Sequence, residues 1–169
     1  MKITSSKIPE NTIIKKYLPA GFSDCFLCTD SPEGISADDM MVAFWTTMPR
    51  WLSILFKIRD MLVSPFGLKT GKGNAEQMEE AIREGKNYRF MSVMEKSEKE
   101  TVIVLDDKHL KAYFSTYIQT DENGGRSIYL STLVKYHNRL GRVYFFVIRP
   151  FHTIVVKKLF RQVIRDKSI

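Results

Sequence analysis

Residues 126–167, RSIYLSTLVKYHNRLGRVYFFVIRPFHTIVVKKLFRQVIRDK, constrain this chain more than any other stretch. They predict a strand, a tight turn at Asn138-Arg139-Leu140-Gly141, a second strand over residues 142–149, a proline and a long closing helix. The helix is predicted because Val155, Val156, Leu159, Phe160, Val163 and Ile164 fall on one stripe at helical spacing. Lys157, Lys158, Arg161 and Arg165 lie mostly off that stripe and read as a solvated face. A long amphipathic helix needs an apolar surface to cover, and the strands before it supply one.

From Tyr88 onward the hydrophobic period is that of strands. Residues 88–98 and 100–107 predict one hairpin. Residues 109–120 and 126–137 predict a second, about Asn123-Gly124, a type I′ signal. With that turn as centre, Thr120 faces Ser127, Tyr117 faces Leu130, Tyr113 faces Val134 and Leu110 faces His137. The next turn sets Tyr136 opposite Val143 and Thr132 opposite Val147. Side chains alternate across a strand, so Tyr113, Ser115 and Tyr117 share a face with Leu130, Thr132, Val134 and Tyr136. Phe114, Thr116 and Ile118 share the other with Tyr129, Ser131, Leu133 and Tyr144. Both faces mix hydroxyls with apolar groups. That mixture suits an apolar cavity with a few hydrogen-bonding anchors, and equally a filled core with a tolerant outer surface.

The first 21 residues, punctuated by Pro9, Pro19 and Gly21, read as an irregular leader, followed by a short first strand at Asp24–Thr29. Ser36 is the predicted N-cap of a helix from Ala37, with Asp38 and Asp39 complementing its dipole. A second helix begins near Pro49 and stops at Ser64-Pro65. It is apolar over much of its circumference, including Trp51, Leu52, Leu55 and Ile58, as a helix sandwiched in a core is. Residues 67–87, glycines and lysines followed by a short acidic helical stretch, read as a mobile connector. Gly71-Lys72-Gly73 lacks the spacing of a phosphate-binding loop. The whole chain, 1–169, is expected to form a single domain, with residues 22–167 as its body.

A net charge of +7 invites an anionic partner, but no basic cluster approaches a nucleic-acid-binding motif, so no nucleic acid is expected. No run reaches the ~18 apolar residues of a membrane span, and the start lacks the apolar core of a signal peptide. The expected setting is cytoplasmic. Cys25 and Cys28 stand alone, without the second pair a zinc site needs, and read as separate buried thiols.

Three histidines are the candidates for acid–base chemistry. His109 and His137 belong to one end of the sheet, and His152 follows the last predicted strand at the other. An eight-residue strand spans ~26 Å, so one site holding all three histidines is not expected, and neither metal nor cofactor is assigned.

The predicted order is strand, helix, helix, five strands, long helix. It resembles the helix-grip arrangement of the START and Bet v 1-like (SRPBCC) superfamily: an α+β fold with a curved antiparallel sheet of about six strands around a C-terminal helix. At finer grain, His137-Asn138-Arg139-Leu140-Gly141-Arg142-Val143-Tyr144 and Pro150-Phe151-His152 resemble a bacterial domain family of unknown function, DUF2867. So do Pro49-Arg50-Trp51, Arg59-Asp60, Phe66-Gly67-Leu68-Lys69 and Asp106-Asp107-Lys108-His109-Leu110. Members of that family stand alone or behind dinucleotide-binding domains. This chain has no Gly-x-Gly-x-x-Gly of its own.

The resemblance implies a START-like fold and no established activity. The favoured expectation is a module that binds a small, mostly apolar ligand between sheet and last helix. Trp51, Tyr113, Tyr117, Thr132, Tyr136, Tyr144 and His152 are its candidate contacts. Two alternatives stay open. One is a cyclase- or hydratase-like enzyme using His109, His137 or His152 as acid/base. The other is a non-catalytic domain that binds a protein partner or a second copy of itself.

Overall fold

The computed structural model describes residues 2–29, 31–63 and 74–167. The Ser64-Pro65 helix end, Phe66-Gly67-Leu68-Lys69 and Gly71-Lys72-Gly73 lie outside the described residues. In chain order the elements are β1 (Ile3–Ser5), β2 (Phe22–Thr29), α1 (Ala37–Thr46), α2 (Arg50–Val63) and α3 (Ala75–Glu84). There follow β3 (Asn87–Tyr88), β4 (Met91–Lys96), β5 (Glu100–Asp106), β6 (Leu110–Thr120), β7 (Arg126–Tyr136) and α4 (Arg139–Lys167). The strands form one open sheet in the order β1-β2-β7-β6-β5-β4-β3, every neighbouring pair antiparallel. The fold is therefore α+β, an antiparallel sheet with a long C-terminal helix, as expected from the sequence.

Local chemistry explains several elements directly. Ser36 caps α1 in a capping box: its hydroxyl accepts from the Asp39 amide at 3.0 Å, and the Asp39 carboxylate accepts from the Ser36 amide at 3.0 Å. Asn74 caps α3, and Gly85 ends it in the left-handed conformation at φ 71°. The predicted connector thus contains a capped helix from Ala75 onward.

The helix-covered, inner face of the sheet collects Phe26, Cys28, Phe114, Ile118, Ile128, Leu130 and Val134. Onto it pack Met40 and Phe44 of α1, and Val156, Leu159, Phe160, Val163 and Ile164 of α4. The outer face carries Val102, Val104, Tyr113 and Leu133 beneath Ile14 of a 3-10 helix at Ile13–Tyr17. The first 21 residues are therefore not an irregular leader. They supply an edge strand and the cover of the outer face. The buried carboxylate of Glu100 pins that cover, accepting hydrogen bonds from the Ile13 amide, the Ile14 amide (3.1 Å) and the Ser115 hydroxyl (2.6 Å).

Two expectations are corrected. First, the β6–β7 register is one residue away from the expected one: Thr120 pairs with Arg126, Tyr117 with Tyr129 and Leu110 with Tyr136. The loop is a five-residue turn rather than a two-residue one. Asp121 clips it, its Oδ1 accepting from the amides of Asn123 (2.9 Å) and Gly125 (2.7 Å), and Gly124 takes φ 83°. A slip of one residue exchanges faces. Thr132, Leu130 and Val134 therefore lie with Phe114 and Thr116, and Tyr113, Ser115 and Tyr117 lie with Ser131 and Leu133.

Second, the expected strand over residues 142–149 is the first half of α4, which continues through Pro150. Pro150 removes the amide that would bond the Phe146 carbonyl, yet the helix holds because tertiary contacts outweigh local preference. Gly141, Phe145, His152 and Val156 recur at helical spacing toward the sheet side. The outward residues between them are also apolar, which hides the period.

Candidate functional site

On β2, alternation sends Phe22, Asp24 and Phe26 to the inner face. Asp24 is the odd member: a carboxyl between two aromatic residues, directly opposite Thr132 of β7. Above them α4 brings in His152, two helical turns beyond Phe145 and on the same side. His152 Nε2 lies 3.4 Å from Asp24 Oδ2, and both side chains are largely buried. Aromatic rings surround the imidazole: Phe22 edge-on at 5.8 Å between centroids, Phe145 at 5.8 Å and Phe114 at 6.4 Å. The indole of Trp45 meets the Phe114 ring edge-on at 4.9 Å.

The polar atoms of this cluster share one property. Both Asp24 carboxyl oxygens, Thr132 Oγ1, His152 Nε2 and Trp45 Nε1 are shut off from solvent and lack a hydrogen-bond partner among the described residues. The 3.4 Å contact between His152 and Asp24 falls outside hydrogen-bond geometry. A buried polar group without a partner costs about 1–3 kcal/mol, and a carboxyl more. Three such residues side by side, Asp24, Thr132 and His152, are concentrated well beyond what a folded interior ordinarily tolerates. A cavity of about 40 Å³ adjoins the Trp45 end, lined by Trp45, Met78, Tyr88, Arg89, Phe90, Met91 and Leu105. It has room for about one water molecule.

The arrangement can act on a small polar group in two ways. Depending on which nitrogen of His152 carries the proton, Nε2 donates toward Asp24 or accepts. Thr132 and Trp45 add a hydroxyl and a pure donor. Asp24 and Trp45 were not among the sequence candidates. The available signal was the lone carboxyl at the inward phase of the run Phe22–Phe26, legible only once that phase is known.

The other candidates fall elsewhere. Tyr113 stacks on Tyr17 at 4.4 Å, and Tyr117 meets Tyr129 at 5.9 Å, both on the outer face. Neither can line a space between sheet and α4, for the register places them on the opposite side. Tyr136 packs on Phe145 near the edge of the inner site. Trp51, on α2, reaches the C-terminal half of α4, donating to Gln162 Oε1 at 3.3 Å beneath the Lys158 ammonium. Tyr144 is half-buried on α4.

His109 and His137 flank a structural corner. The Asn138 side chain caps α4 by accepting from the Gly141 amide at 2.9 Å, and it donates to the Lys108 carbonyl at 3.2 Å. A Cβ on Gly141 would stand 1.9 Å from the His109 carbonyl oxygen, so only glycine fits. His137 contacts Asp106 at 2.9 Å in an exposed position. Burial disfavours the charged form of Asp106, but Lys111 and His137 outweigh it and hold its carboxyl below the ordinary range. The His137–Tyr144 motif thus builds the β7–α4 corner.

Cys25 and Cys28 sit on opposite faces. Burial pushes the Cys25 thiol up to about 11 despite a 3.3 Å hydrogen bond from Ser131, which makes it a poor nucleophile. Among the described residues no group of three or more His, Cys, Asp or Glu side chains is placed to hold a metal ion. No helix of the described residues is long and apolar enough to cross a membrane.

No curated protein and no solved structure shows a significant match to this chain. A family model does match, over residues 20–159, from just before β2 to Leu159 in the buried stripe of α4. The chain belongs to that family, a protein family of unknown function designated DUF2867.

Proposed function

We propose that this domain is a binding module for a small, mostly apolar ligand carrying one polar group, held between the sheet and the first half of α4. One observation carries the reading. Asp24, Thr132 and His152 present buried polar atoms without hydrogen-bond partners among the described residues, beside the rings of Phe22, Phe114 and Phe145, with the Trp45 indole against Phe114. An apolar site with a few convergent polar anchors is the usual make-up of a small-molecule site. The sheet-and-helix architecture fits a helix-grip fold of the START-like kind, in which such a ligand would lie against the last helix.

These polar atoms are shut off from solvent, so a ligand reaches them by movement of α4. Its first half is suited to that. Between Arg139 and His152 it buries only Gly141 and Phe145, whereas the second half buries Val156, Leu159, Phe160, Val163 and Ile164. Weakly packed segments open at low free energy.

The same geometry favours a second reading, a cyclase- or hydratase-like enzyme in which His152, oriented by Asp24, transfers a proton to or from the bound molecule. Native mass spectrometry of gently purified wild-type protein tests the first reading. The expected result is a small-molecule adduct that is absent from Asp24→Asn and His152→Leu variants with unchanged circular dichroism. Adduct-free wild-type protein, or variants that keep the adduct, would sink it. For the enzymatic reading, the released molecule is re-incubated with fresh protein, and chemical conversion must depend on His152.

A further inference from the structure

With residues 142–149 helical rather than extended, the outward side of α4 gains a feature that a strand would have split between two faces. Val143, Phe146, Val147, Phe151 and Ile154 recur at intervals of three, one, four and three residues and are all exposed, Phe146 by 77% and Ile154 by 61%. They form one apolar stripe. An open groove of about 620 Å³ runs along it, lined by Phe146, Val147, Arg149, Pro150, Thr153 and Ile154. Exposed apolar stripes of this extent on a single helix mark an interaction surface.

Charge identifies the partner. Over its length, Arg139–Lys167, α4 carries eight Lys and Arg residues against one acidic residue, Asp166 near its end. Arg139 precedes the stripe, and exposed Lys158 and Arg161 follow it on the same side of the helix. A second copy of the chain packed on this stripe across a two-fold axis would set cations against cations. An apolar stripe with cationic ends is instead the pattern of a helix lying in the plane of an anionic bilayer, with aromatic and aliphatic groups entering the acyl boundary and cations meeting the headgroups.

We infer that α4 docks this protein peripherally on anionic membranes through Phe146, Val147, Phe151 and Ile154. The docking leaves the opposite side of the helix on the sheet, and it does not depend on whether the inner site holds a ligand. It also requires no spanning segment.

The test is co-flotation of the full chain with phosphatidylcholine vesicles, pure or containing phosphatidylglycerol. Binding to the phosphatidylglycerol vesicles alone is expected, weakening as NaCl is raised toward the screening regime. The double variant Phe146→Ser/Ile154→Ser should lose affinity by about tenfold or more, because it removes two inserted side chains. Both positions are exposed, so its circular dichroism and melting temperature should stay at wild-type values. Lys158→Glu/Arg161→Glu should weaken binding at low salt and matter less at high salt. Failure to float with anionic vesicles overturns the inference, as does flotation that the serine variant retains. Light scattering showing a wild-type dimer that Phe146→Ser dissociates would overturn it in favour of a second copy as occupant.

Discussion

Two threonines on the inner face of adjacent strands allow the candidate site to be tested by stability alone. Thr116 on β6 and Thr132 on β7 are both fully buried. Their surroundings differ in one respect. Thr116 Oγ1 donates to the Ala37 carbonyl at 2.8 Å, tying the start of α1 to the sheet, whereas Thr132 Oγ1 has no hydrogen-bond partner among the described residues. Valine replaces threonine with almost the same shape and comparable strand preference, so the substitution isolates the hydroxyl. At Thr116 it deletes a buried hydrogen bond and should cost about 1–2 kcal/mol. At Thr132 it deletes an unsatisfied group and should stabilise by about 1 kcal/mol or more. For a chain of this size 1 kcal/mol moves the melting temperature by about 2–4 °C, so the two variants should separate in opposite directions from wild type. Calorimetry gives the shifts, and urea unfolding with an unchanged slope confirms that the native state is the one affected. If Thr132→Val loses stability as Thr116→Val does, the Thr132 hydroxyl is satisfied in solution. The unsatisfied polar cluster, and the proposed binding site with it, would then fall.

Gly141→Ala drives a Cβ into the His109 carbonyl, backbone against backbone, and should destabilise by about 2–3 kcal/mol in urea unfolding despite alanine's better helix propensity. Glu100→Ala orphans the Ile13 and Ile14 amides and the Ser115 hydroxyl, a loss of about 3 kcal/mol, and hydrogen exchange at those two amides should accelerate ahead of the sheet. Burial raises the pKa of Asp39, but the Ser36 cap and Arg83 outweigh it and hold the carboxyl below its ordinary 3.8. A depressed folded-state value gives stability that is fully present above the unfolded pKa and lost as pH falls through the folded one. Wild type should therefore exceed Asp39→Asn in urea midpoint at pH 6, with the difference shrinking below about pH 4. A difference independent of pH would remove the carboxylate from the account.

The sequence by itself determined whatever rests on neighbours close along the chain. Ser36 with Asp39 specifies the start of α1, because a capping box closes within four residues. The period-two runs specify β4 to β7. The buried stripe from Val155 to Ile164 specifies the end of α4, and the corner motifs point to the family. Tertiary structure decided the rest. The β6–β7 register turned on one carboxylate, Asp121, which closes a five-residue loop where Asn123-Gly124 alone suggests two, and that single step exchanged Tyr113 and Tyr117 for Thr132. Residues 142–149 have strand-forming side chains on every side. The Asn138 cap, the close Gly141–His109 approach and the packing of Phe145 on the sheet side accompany their helical form. Asp24 and His152 are 128 positions apart, and nothing local in either segment announces the other. Their meeting depends on β2 pairing with β7 and on α4 folding back across both, which is why the candidate site emerges from the fold rather than from a motif.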